Sequence, residues 1–138
     1  MKLFLDTSAL AKRYVAEPGS DKVLKLCRSA ERLSVSVICL PEMVSTLNRL
    51  VRERQLSVAK YATLKRRVLG DLAEADICEI TTQVIGSVIQ LLESNALRAA
   101  DAIHVACAMA YRADVFASAD RRQLAAAKKS RLRVVDLS

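Results

Sequence analysis

Four acidic residues stand where extended runs hand over to helical ones: Asp6 after "KLFL", Glu42 in "PEM", Asp101 in "LRAADAIHVACA" and Asp120 after "VFAS". Each alone has an ordinary explanation, because aspartate is a common N-cap and a first-turn glutamate meets a favourable helix dipole. Asp101 fits that explanation least. The residues from Leu97 to Ala110 are nearly all small or apolar, the composition of a helix buried on most faces, where an unpartnered ionised carboxylate is costly. If the four gather, they repel: two carboxylates ~4 Å apart cost roughly 4 kcal/mol at an effective dielectric of about 20. A hard divalent cation removes that repulsion and takes oxygen ligands without needing histidine or cysteine. Its chemistry is activation of a water and stabilisation of charge growing on a phosphodiester oxygen. The competing account of Asp101 is an ion pair with Arg98, one turn earlier on the same face.

The elements that must position these acids alternate along the chain. Extended runs are "KLFL", "LSVSVIC" around Val35, "DICEI" around Ile77, "DVFAS" around Phe116 and "LRVVDL" around Val134. Helices are expected from Ser8 to Ala16, from Ser20 to Ala30, and from Pro41 through Met43, Val44, Leu47, Leu50 and Val51. A fourth, capped by Ser57, carries Tyr61, Leu64, Val68 and Leu72 and forms a hairpin with the third. Thr81 or Thr82 caps the next, "LRAADAIHVACAMA" follows, and the last helix starts after Asp120. This order predicts a three-layer α/β/α sandwich with a mainly parallel sheet of about five strands. Ligands in such sheets bind beyond the carboxyl ends of the strands, the edge to which all four acids map.

The 138 residues, 52% hydrophobic with two prolines and three glycines, are expected to form a single domain over 1–138. No apolar run approaches the roughly 20 residues a membrane span needs, and Asp6 interrupts the amino-terminal run too early for a signal peptide. A soluble, cytoplasmic protein without a membrane partner is expected. Cys27, Cys39, Cys78 and Cys107 form no C-x-x-C pair and read as reduced core residues. The net charge of +7 favours a polyanionic partner such as nucleic acid. With two phenylalanines, three tyrosines and no tryptophan, that partner would be held by its phosphates rather than by stacked bases. Lys12 and Arg13, beside Asp6, and Arg121 and Arg122, after Asp120, are the candidates for phosphate contact.

The segments "FLDTSAL", "PEM", "LRAADAIHVACA" and "FASADRRQL" resemble, in order, the four motifs of the PIN-domain ribonucleases, specifically the small VapC-type toxins of toxin–antitoxin pairs. The resemblance spans the chain. It implies that Asp6, Glu42, Asp101 and Asp120 are the catalytic quartet holding Mg2+ or Mn2+. Thr7, Ser8 and Ser118 would orient a ligand carboxylate or a water, or else serve as caps. His104 would be structural rather than a general base. The implied activity is metal-dependent endoribonucleolytic hydrolysis leaving a 5′-phosphate and a 3′-hydroxyl. The implied partners are RNA, a cognate antitoxin lying across the acidic groove, and a second copy in a homodimer or a larger assembly, with the apolar stripe of the helical hairpin as interface. Phosphoreceivers and phosphatases also gather acids at strand ends, but "DTSA" is not D-x-D-x-T and no glycine-rich phosphate loop is present. A catalytically silent PIN-like module binding RNA or protein is the alternative, disfavoured because all four acids are retained.

Overall fold

Lys2–Leu5 forms strand β1, and its residues Leu3, Phe4 and Leu5 are all fully buried, which requires cover on both faces. The computed structural model, which describes Met1–Ser138, supplies that cover with seven helices around a five-stranded, wholly parallel sheet. The elements that follow are α1 (Thr7–Ala11), α2 (Ser20–Ser29), β2 (Arg32–Ser36), α3 (Cys39–Arg52), α4 (Val58–Ala73), β3 (Asp76–Cys78) and α5 (Thr82–Ser94). The chain continues through α6 (Ala99–Tyr111), β4 (Val115–Ser118), α7 (Arg121–Lys129) and β5 (Arg133–Asp136). The sheet order is β3-β2-β1-β4-β5, so the direction of winding reverses beside β1. That reversal places a crevice at the carboxyl ends of β1 and β4, where Asp6 and Asp120 follow their strands.

Side-chain alternation along the strands divides the core in two. Leu3 and Leu5 of β1, Val35 of β2, and Val115 and Ala117 of β4 pack with the α1–α4 side. Phe4 and Phe116 point the other way, in register on neighbouring strands and stacked with centroids 5.8 Å apart, into the layer of α5, α6 and α7. Helix α6 lies deep in that layer because Ala102, Ala106, Cys107 and Ala108 let its backbone approach its neighbours, and all four are fully buried.

Three expectations need correction. The apolar run "LSVSVIC" is strand only as far as Ser36: the Ser36 hydroxyl accepts a hydrogen bond from the Ile38 N–H, turning the chain, and α3 begins at Cys39. Pro41 therefore occupies the third helical position, where its missing N–H is equally harmless. Helix α1 ends at Ala11 rather than Ala16, because the amides of Lys12, Arg13 and Tyr14 bond three residues back and tighten the chain into a turn. The apolar stripe of the α3–α4 hairpin faces mostly inward, with Val44, Leu50, Val51 and Tyr61 half-buried at its margin. Met43, Leu47, Leu64, Val68 and Leu72 are consumed by the core, since the hairpin lies over the sheet. No helix is long and apolar enough to cross a membrane.

Candidate functional site

Asp6, Glu42, Asp101 and Asp120 all line one cleft of ≈ 480 Å³ at the carboxyl edge of the sheet. Its lining is polar apart from Ala11 and Ala119, and five carboxylates, those four with Glu17, face only two cations, Lys12 and Arg98. A protein with a net charge of +7 thus concentrates negative charge in this polar cleft.

Asp6 is the N-cap of α1, accepting from the Ala9 N–H at 2.9 Å, yet it is 1% exposed. Its other partners are the hydroxyls of Ser8 at 2.8 Å and Ser118 at 2.7 Å, so no cation neutralises it. Burial pushes its pKa above the ordinary 3.8 despite those hydrogen bonds. Ser8 and Ser118 also tie the two halves of the site together: Ser8 accepts from the Ala119 N–H and Ser118 from the Asp120 N–H.

Glu42 lies in the first turn of α3 and reaches across to two other elements. Thr7 donates to its Oε1 at 2.6 Å, and His104 of α6 places Nε2 2.5 Å from the same oxygen. Burial alone would raise the Glu42 pKa, but these hydrogen bonds outweigh it and the net shift is downward. His104 is fully interior, and its Nδ1 has no partner.

Asp101 sits in the first turn of α6, 7% exposed, with one partner on each oxygen. Gln123 of α7, itself 4% exposed, donates Nε2 to Oδ1 at 3.0 Å. Arg98 donates Nε to Oδ2 at 3.3 Å from a side chain that is 83% exposed. The local ion pair with Arg98 is therefore real, but with its guanidinium open to screening water it contributes only ~0.2–1 kcal/mol. Asp120 caps α7 through Oδ1, accepting from the N–H groups of Arg122 and Gln123. Capping and cleft lining thus coexist in Asp6 and Asp120.

No three acidic, histidine or cysteine side chains are drawn into a ready metal cage. Each carboxylate is instead turned onto its own hydrogen-bond donors. The donor set nevertheless suits a hard divalent ion: the available ligands are oxygens, the cleft carries excess negative charge, and buried Asp6 lacks any cation.

The sequence of residues 3–129 matches the PIN domain family. The chain belongs to the PIN-domain family. Among relatives of this PIN domain, Ribonuclease VapC45 of Mycobacterium tuberculosis is 29% identical over 108 residues, 78% of this chain and 75% of that protein. The fold of this chain is similar to that of FitAcB from Neisseria gonorrhoeae, with a TM-score of 0.72 at 18% identity, covering 97% of this chain and 96% of the other. A toxin–antitoxin complex from Klebsiella pneumoniae is equally similar, with a TM-score of 0.72 at 18% identity over 99% and 98% of the two chains.

Two of the four expected phosphate contacts are committed elsewhere in this PIN domain. Lys12 is buried, its ammonium donating to the Pro18 carbonyl at 2.6 Å and pairing with Glu17 at 3.3 Å, so it fastens the loop after α1. Arg13 does not line the cleft and lies 3.7 Å from Asp71 of α4. Arg121 and Arg122 do border it, lining a depression of ≈ 420 Å³ with Arg98, Asp101 and Asp120. Gln123 is the site residue that the sequence did not single out. Its one signal was its place three residues beyond the Asp120 cap, on the turn of α7 that returns toward the cleft.

The buried His104–Glu42 contact gives a first expectation. His104→Ala removes an interior hydrogen bond and leaves Glu42 half-buried without its imidazole, which should cost ~1–3 kcal/mol. Urea denaturation of the metal-free protein should show the lower midpoint at an unchanged slope; an unshifted midpoint would mean that the contact contributes nothing.

Proposed function

We propose that this PIN domain is a cytoplasmic endoribonuclease that hydrolyses RNA in the acid-lined cleft and acts as the toxin of a toxin–antitoxin pair. The observation that carries the reading is Asp6, a buried carboxylate without a cation, placed where the winding of the sheet reverses. Membership of the family, a relative named as a ribonuclease and a similar fold in a toxin–antitoxin complex support it.

Asp6, Glu42, Asp101 and Asp120 would hold Mg2+, or Mn2+ in its place. Bound there, the ion would polarise the phosphodiester as a Lewis acid and lower the pKa of the attacking water so that it ionises to a nucleophile. The protein's own groups do the positioning. Ser8 and Ser118 fix the Asp6 carboxylate from two elements, Thr7 and His104 fix Glu42, and Gln123 fixes Asp101. Arg121 and Arg122 attract the RNA backbone at the rim. Attack of water on phosphorus breaks the bond to the 3′-oxygen, leaving a 5′-phosphate and a 3′-hydroxyl.

An antitoxin would cover the cleft, and the protein would pair as a homodimer. With the hairpin stripe mostly buried, the apolar side chains left for such pairing include Ile85, Ile89 and Leu92 on α5. The deciding experiment incubates purified protein with RNA, with and without Mg2+, sequences the new ends and follows thermal unfolding. A nuclease gains stability from the ion and yields 5′-phosphorylated fragments that EDTA prevents. A silent binding module would show neither.

A further inference from the structure

Asp101 has two unlike partners. Gln123 is interior and donates Nε2 to Oδ1 at 3.0 Å; Arg98 is solvent-exposed and touches the carboxylate through a single nitrogen at 3.3 Å. Arg98 is also the N-cap residue of α6, with extended backbone (φ −81, ψ 159) and no capping bond of its own, so nothing else in the helix holds its side chain. It stands on the boundary between two spaces. Arg98, Asp101 and Asp120 line both the acidic cleft and the adjoining depression that Arg121 and Arg122 complete.

We propose that Arg98 is an exchangeable counter-ion, which neutralises Asp101 while the cleft lacks a cation, yields that carboxylate to a divalent ion, and then joins Arg121 and Arg122 in holding an RNA phosphate. This rests on the nuclease reading above and adds a coupling between its two ligands. A single exposed guanidinium contact is weak, and a doubly charged ion among several carboxylates displaces it. The released guanidinium has only to turn toward the neighbouring depression, where three arginines then face one polyanion. Metal and RNA therefore bind with positive linkage, each favouring the Arg98 position that the other needs. Gln123 keeps Asp101 in place throughout the exchange.

The test titrates Mn2+ calorimetrically into the full chain without RNA. It then measures binding of a short phosphorothioate-linked single-stranded RNA by anisotropy across a salt series, with and without Mn2+. Arg98→Gln should bind Mn2+ more tightly than the wild type, by up to about fivefold, the upper end of what loss of a weak ion pair spans. Its RNA affinity should fall, with a salt slope smaller by about 0.7, only when Mn2+ is present. Arg121→Gln makes the same change in charge nearby. It should weaken RNA binding under both conditions and leave Mn2+ affinity unaltered, which separates exchange from a general loss of positive charge. Mn2+ affinity in Arg98→Gln that is equal to or weaker than wild type overturns the proposal, as does an RNA effect that ignores Mn2+. If the wild type binds no Mn2+ at all, the nuclease reading falls and the exchange with it. If it binds Mn2+ and cleaves RNA while Arg98→Gln shows no tightening, the exchange alone falls.

Discussion

Asp6→Asn yields a folded protein whose kcat/KM for RNA is lower by about 10³-fold or more, several kcal/mol of lost transition-state stabilisation at 1.36 kcal/mol per decade. The fold survives because asparagine still offers an oxygen to the Ala9 N–H, and the Ser8 and Ser118 hydroxyls can turn to suit an amide. The metal-free mutant should be at least as stable as the wild type at neutral pH. Burial raises the Asp6 pKa above 3.8, so its favourable contribution is complete below 3.8 and is lost as pH rises through the raised value. Asparagine has no charge to lose. The stability difference between mutant and wild type should therefore widen from acid toward neutral pH and reverse on adding Mg2+, which stabilises only the wild type. Thermal unfolding across that pH range, with and without Mg2+, reads all three effects. Full activity in the mutant, or a large loss of metal-free stability, refutes the assignment of Asp6. Asp101→Asn should match it in activity, with stability changed by less than ~1 kcal/mol, because the exposed Arg98 pair is weak and Gln123 can still donate.

Gly19→Ala should be the most damaging small substitution for stability. Gly19 has φ +92, a region that residues with a Cβ avoid. The added carbon would lie 2.2 Å from the Leu137 carbonyl oxygen and 3.2 Å from the Lys12 side chain. Relief requires moving the carboxyl-terminal segment or the loop that Lys12 fastens through Pro18 and Glu17. A cost of ~2–4 kcal/mol follows, lowering Tm by roughly 10 °C in a domain of this size. Gly70 and Gly86 are the internal controls. Both lie within helices with open space around them, so alanine there should raise stability by ~0.5–1 kcal/mol each. A Gly19→Ala Tm within about 2 °C of wild type would show that this loop yields easily.

The alternation of strands and helices, the parallel sheet and the shared edge of the four acids were legible because they follow from periodicity and from where strands end. The hydrogen-bonded caps Asp6, Ser57, Thr81 and Asp120 were legible for the same local reason. What failed was what local pattern cannot carry. An apolar run ending in Val37–Ile38–Cys39 looks alike whether it closes a strand or opens a buried helix, and the Ser36 side chain decides between them. Lys12 carries no local sign of being committed, because its partners, Glu17 and Pro18, approach it only through the turn that follows α1. The Arg98–Asp101 pair, three residues apart, was foreseeable from helix geometry. The partners that fix the acids were not, since His104 meets Glu42 across 62 residues and Gln123 meets Asp101 across 22 and between different helices.

The central position of β1 has a consequence during synthesis. β1 waits for its second neighbour, because β4 is translated more than a hundred residues after it, and Asp6 meets Ser118 across 112 positions. At ~5–20 residues per second, the interval on the ribosome between those two residues is on the order of ten seconds. Through that interval Ser118, Asp120 and Gln123 are absent from the site, so the nascent chain cannot assemble the cleft.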